Sequence, residues 1–270
     1  MSGQINDIRR SHDLDLQISH QRVCEREAPR ENRVVSSQGA EVVARSTHEN
    51  TCHQTVDTDS MLIESYGLSP HLYADYTQVY GSCPPATADS LSLRVSECAG
   101  AVSTWMKCNR LQLNLDKTEV LLCARGRRQH QLPTSAVLIA GVPITPALFV
   151  RDLGIYIDAD LSMRIHVQRT VPRCFAALHQ LRQIRQYVPA TTFQMMVVSL
   201  VHSRLDYGNS VLVGIPAYLL RRFQSVLNAA AWLIFHLKRS DHITDALVSL
   251  HWLRVQGIVC AHAGLPSSSR

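Results

Sequence analysis

The sequence predicts an α+β chain, with short strands around one long helix followed by an all-helical part of three or four helices. Three observations carry this reading. Between residues 61 and 160 apolar residues gather in short runs punctuated by Gly and Pro, and from residue 162 they recur every three to four positions. Residues 1–58 have no aromatic residue and few adjacent apolar pairs, so they lack material for a core and are expected to be disordered. Over all 270 residues, 46% apolar against 18% charged is a globular balance.

In chain order, "MLIESYGLSP" ends in turn signals, and "HLYADYTQVY" reads as two short strands meeting near Asp75 and Tyr76, a hairpin closed by "SCPPA". Leu91, Val95, Cys98, Val102 and Trp105/Met106 then mark one face of a helix over 87–109. "KTEVLLCA" reads as a strand, "RGRRQHQLP" as an exposed basic loop, and "AVLIAGVPITP" and "FVRDLGIYIDADL" as two more strand-like runs. Val167, Val171, Cys174/Phe175, Leu178, Leu181, Ile184 and Val188 define a helix over 162–188 that Pro189 closes. Thr191 with Gln194 has capping-box spacing for the next helix, and Pro216 occupies a favoured first-turn position for the one after.

Charge is unevenly spread. Residues 1–58 carry 7 Arg against 9 acids, while residues 59–270 carry 20 basic against 13 acidic residues. The later part could meet a polyanion or could be a solvated surface of mixed charge. The 8 cysteines include no C-x-x-C pair, which fits free thiols in a reducing compartment. "HENTCH" (48–53) has no second cluster at zinc-site spacing. No window of eighteen apolar residues and no apolar core near the start suggest a chain without a membrane span or signal peptide, intracellular in the cytoplasm or nucleus. No Gly-x-Ser-x-Gly elbow, H-E-x-x-H helix or phosphate-cradling glycine loop is present.

The blocks "IESYGLSPHLYADYTQVYGSC", "WMKCNRLQLNLDKTEVLLCA", "VRDLGIYIDADLSMRIHV", "SRLDYGNSVLVGIPAYLLRRFQSVLNAAAWLI" and "RSDHITDALVSLHWLRV" resemble, in order, those of the reverse transcriptase of non-LTR retrotransposons of the jockey and chicken-repeat type. The resemblance covers about 195 residues, from 61 to about 255. It implies a partial polymerase palm (a small antiparallel sheet with a helix, and a primer-grip-like hairpin) over 59–160. A helical thumb-like region would span 161–255 and a frayed tail 256–270, with 1–58 a leader unrelated to the family.

The resemblance also implies a site. Asp75 matches the first acid of the catalytic Tyr-Ala-Asp-Asp hairpin, whose carboxylates, with one from an earlier strand, hold two Mg2+ ions in the family. Tyr76 stands where the second acid belongs, and a phenol supplies neither the charge nor the bidentate geometry of a carboxylate. Lys117 matches a lysine assigned to the pyrophosphate side, or is a surface lysine starting a strand. Arg151 and Gly154 fall in the primer-grip block, and Arg164, Arg169, Arg173, Arg182 and Arg185 of the thumb helix would meet phosphates of an RNA/DNA template-primer, or be solvated arginines. Arg204, Asp206, His251 and Trp252 suggest packing and helix ends, and Trp232 stands where the family usually has arginine.

The fingers, the first palm acid and the nucleotide-contacting Gln-Gly segment are not found in residues 1–60. The expectation is therefore a degenerate fragment, from a family of RNA-directed DNA polymerases, that lacks polymerase activity and binds no Mg2+ or small-molecule cofactor. One alternative is a non-catalytic nucleic-acid-binding remnant. The other is a poorly folded product, because a palm sheet without its central strands leaves edges unpaired.

Overall fold

The computed structural model describes residues 14–24 as backbone, and residues 59–73, 76–238, 240–253 and 255. It is an α+β protein with small antiparallel sheets, in two compact units, one built from the described residues up to Leu148 and the other beginning at Phe149. Among the described residues no helix is long and apolar enough to cross a membrane, and Cys98, Cys108 and Cys174 are free thiols.

The first unit is a four-stranded antiparallel sheet of β1 (Leu14–Cys24), β2 (Ser69–Tyr73), β3 (Tyr76–Cys83) and β4 (Leu111–Cys123), in the order β2-β3-β1-β4. Strand β1 lies between the predicted hairpin and β4, with Leu14 opposite Cys83, Gln21 opposite Tyr76 and Ile18 flanked by Val79 and Val120. The disorder expected of residues 1–58 is thus corrected for Leu14–Cys24, and the rest of that segment lies outside the described residues. The physical reason is a two-residue alternation, Leu14, Leu16 and Ile18 against Asp15, Gln17 and Ser19, which suits a strand hydrogen-bonded on both sides.

Helix α1 (Ala88–Cys108) covers one face of this sheet. Its buried stripe is Leu91, Val95, Cys98, Val102 and Met106, packed with Ile63, Leu68, Val79, Val120 and Leu122. Each such side chain contributes about 1.5–3 kcal/mol relative to exposure. The helix seats closely because Gly81 leaves room: a Cβ there would lie 2.7 Å from Leu91 Cδ1 and 2.8 Å from Leu68 Cδ2. Asn109 ends α1, its amide donating to the Trp105 carbonyl at 2.8 Å. The basic loop predicted after β4 is a short 3-10 helix, Gly126–Gln131, and a second hairpin pairs β5 (Val137–Ile139) with β6 (Val142–Ile144).

The second unit opens with the hairpin of β7 (Phe149–Asp152) and β8 (Ile155–Asp158), followed by α2 (Arg164–Ile184), α3 (Ala190–Val197), α4 (Ser203–Asp206), α5 (Ala217–Phe235) and α6 (Thr244–Ser249). The β7–β8 hairpin belongs to this compact unit, where β8 packs on α2. Phe193, Val197, Val201 and Leu205 are buried, as are Leu219, Phe223, Val226 and Ala230 of α5, which packs against α2 and α3. Pro189 and not Thr191 caps α3, which places Thr191 inside the helix and removes the expected capping box. A π-helical turn, Val198–His202, joins α3 to α4.

Replacing Ile18 with Pro deletes a ladder donor from the middle of the sheet. Hydrogen exchange should then speed up in both β3 and β4 while α2 and α5 keep their protection. Unchanged exchange in β3 and β4 would remove β1 from the sheet.

Candidate nucleic-acid interface

Asp75 falls in sequence between β2 and β3 and lies outside the described residues. Tyr76, half-buried, opens β3 opposite Tyr73 on one side and Gln21 on the other. The register therefore brings the Gln21–Cys24 end of β1, which reads Gln-Arg-Val-Cys, alongside the turn. The acid of β1, Asp15, pairs with Ser82, six residues or about 20 Å farther along the strand. Beyond Tyr76, Thr77 and Gln78 are buried, and the Tyr80 hydroxyl donates to the Gln78 side-chain oxygen. A pair of divalent cations requires several converging carboxylates, and the described residues flanking the turn, Tyr73 and Tyr76, supply none. Among the described residues no three of His, Cys, Asp or Glu gather where they could hold a metal ion. Lys117 is exposed on β4, where the pairing with β1 shifts register.

The β7–β8 hairpin turns through Leu153 and Gly154, with φ of 44° and 88°, positive at both central positions as a tight hairpin turn matching strand twist requires. Tyr207, which follows α4, holds that turn. Its hydroxyl donates to the Leu153 carbonyl, and a Cβ on Gly154 would lie 3.4 Å from its ring. Gly208, at φ 75°, sits so close to β8 that a Cβ would meet Ile155 Cδ1 at 2.6 Å. "DLGI" and "DYG", blocks separated by about fifty residues, are one contact. Asp206 accepts a hydrogen bond from the Asn209 amide at 2.8 Å, and Trp252 packs on His202 with ring centroids 4.8 Å apart, structural roles as expected of Asp206 and Trp252.

Arg151 and Arg169 come together over this hairpin. Arg151 pairs with Tyr156 across the ladder, its guanidinium carbon 5.8 Å from the ring centroid. That of Arg169 lies 4.9 Å from the same ring and 5.2 Å from Phe149. Stacking on aromatic faces fixes two cations side by side while both residues stay exposed. Arg173, one turn along α2 from Arg169, is exposed on the same flank.

The remaining thumb arginines divide. Arg164 opens α2, and its pKa is raised above the ordinary value chiefly by the Tyr218 hydroxyl, then by Asp160. Arg182, eighteen residues on, falls at the same helical angle as Arg164 but about 27 Å away, where it lines a groove against α5. Arg185 turns inward: it donates to the Ile234 carbonyl at 3.0 Å and the Leu233 carbonyl at 3.5 Å, and lies 4.6 Å over the Phe193 ring. This satisfies the last carbonyls of α5 and places a cation at its negative end. Arg185 thus serves as a cap of α5 in the folded unit.

Two signals in the sequence point to this surface more sharply than the individual arginines. Between Leu161 and Ser240 there are ten basic residues and one acid, Asp206. Arg185 also follows Val167 by eighteen residues, five helical turns, and so shares its buried angle.

Buried titratable groups in the unit are packing groups. Burial pushes the Cys174 thiol up to about 11, and in the first unit the Cys98 thiol up to about 12, so neither is a thiolate near neutral pH. Asp158 accepts hydrogen bonds from the Ser162 hydroxyl at 2.8 Å and the Ile165 N–H at 3.3 Å, fixing the entry to α2. His166 is buried against Tyr156 and Phe223, and its Nδ1 faces the Tyr156 N–H at 3.4 Å.

No protein-family model matches the chain, and searches of curated proteins and of solved structures find no match.

Burial lowers the His166 pKa to about 4. The folded state then favours the neutral ring, whereas the unfolded chain takes up a proton near pH 6.5. Stability should fall as pH drops from about 6.5 to about 4, by up to about 3 kcal/mol, and denaturant titrations should show a flatter profile for His166→Gln. An equally steep fall in the variant would assign the effect to other groups.

Proposed function

We propose that the chain is a non-catalytic nucleic-acid-binding fragment of a reverse transcriptase palm and thumb, of the non-LTR retrotransposon type. The observation that carries the binding function is the pair Arg151 and Arg169, fixed over Tyr156 and Phe149 and extended by Arg173, in a segment with ten basic residues and one acid. Phosphate contacts supply affinity without reading sequence, so a rigid cluster of guanidiniums in an acid-poor segment suits a duplex backbone. Family membership is supported by the five ordered sequence blocks, by an antiparallel sheet carrying the 69–83 hairpin and one covering helix, and by a second hairpin at the start of the helical unit.

The loss of polymerase activity is inferred from Tyr76, which stands where the second acid of the family's hairpin belongs. The poorly folded alternative presumes a sheet without its centre, and β1 supplies a central strand.

Binding to an RNA–DNA hybrid, followed by fluorescence anisotropy, should weaken linearly in log–log fashion with salt. Replacing Arg151, Arg169 and Arg173 together by Gln should reduce the slope by about 2–3, since each phosphate contact contributes about 0.7–0.9, while Lys117→Gln leaves it unchanged. A salt-independent signal, or a slope indifferent to the triple variant, would defeat the proposed interface. In primer extension with Mg2+ or Mn2+ no product is expected. A dNTP-dependent product abolished by Asp75→Asn would overturn the non-catalytic assignment.

A further inference from the structure

The second unit carries a groove, distinct from the Arg151–Arg169 cluster, between α2 and α5, with a volume of about 1020 Å³. On α2 it is lined by Phe175, Leu178, His179 and Arg182, and on α5 by Asn228 and Trp232 among others, each set at the three- and four-residue spacing of one helix face. Its volume is at the upper end of the range for ligand sites, about 300–1000 Å³.

We propose that this groove binds an unpaired nucleotide segment, the bases stacking on Trp232 and Phe175 and the phosphates meeting Arg182 and His179. The proposal rests on the nucleic-acid reading above and adds a second substrate form, single-stranded rather than duplex. Three observations favour that occupant. Among the described residues the lining holds Arg182 and two histidines but no acid, so it suits an anion. Phe175 is 41% exposed, an aromatic face left uncovered in the same groove as Arg182. The Trp232 Nε1–H is buried without an acceptor among the described residues, a donor that gains a hydrogen bond if the indole turns towards a base or phosphate oxygen. Aromatic faces combined with a basic groove bind single strands with little sequence preference, because every base has a face to stack. An apolar helix would leave Arg182, Asn228 and the histidines facing hydrocarbon.

The test uses the full chain with a twelve-residue oligouridylate and an RNA–DNA hybrid, measured in parallel. Trp232→Leu and, separately, Phe175→Leu with His179→Ala should each weaken oligouridylate binding about tenfold and leave hybrid binding within twofold. The Arg151, Arg169 and Arg173 triple variant should do the reverse. Photo-crosslinking of the unsubstituted chain with 5-iodouridine oligonucleotide should label peptides of α2 or α5 that line the groove. Hybrid binding with oligouridylate binding absent or indifferent to the groove variants, crosslinks only elsewhere, or equal displacement of oligouridylate by polyglutamate would each overturn this proposal alone. Failure to bind either nucleic acid would overturn the parent reading as well.

Discussion

The backbone ladder of Leu14–Cys24 is the constraint on which the first unit depends. Without it, the hairpin of β2 and β3 and the long strand β4 are not neighbours, since β1 is the strand that both contact. An isolated two-stranded hairpin is at best marginally stable in water, and β4 alone would offer two open edges. With β1 in place, the covering helix has one continuous surface of Val79, Val120 and Leu122 to bury against. The same register decides what stands beside the hairpin turn, so one pairing governs both the integrity of the sheet and the chemistry open to it.

The helical unit depends on an analogous constraint. Its entry hairpin is held from both ends: Asp158 ties β8 to the first turn of α2, and Tyr207 with Gly208 clamps the Leu153–Gly154 turn. That fixed hairpin presents Tyr156 and Phe149 to Arg169, so the arrangement of the exposed cations follows from buried and hydrogen-bonded parts. Electrostatic recognition gains from such preorganisation, because less side-chain freedom is lost on binding.

Much of this was legible in the sequence. The hairpin near Tyr76, α1, α2 and α5 follow from apolar spacing because each buries one stripe or face. Strand β1 was hidden by averaging: its short alternation is swamped by the polar, charged residues on either side, and its partners are more than fifty residues away. The site was legible as a roster of arginines but not as a division of labour. That Arg169 stacks on Tyr156 whereas Arg185 caps α5 depends on which helix ends and rings lie nearby, and only the helical angle of Arg185 hinted at it.

The closeness of Gly208 to Ile155 bears on how this chain can vary. A side chain at 208 would have to displace the Ile155 terminal methyl as well as adopt a left-handed backbone. Among descendants of this sequence the two positions are therefore not independent: a residue larger than glycine at 208 is tolerated best with a trimmed side chain at 155, such as valine or alanine. The pair forms a lineage marker, and its joint drift would trace whether the hairpin clamp is still under selection.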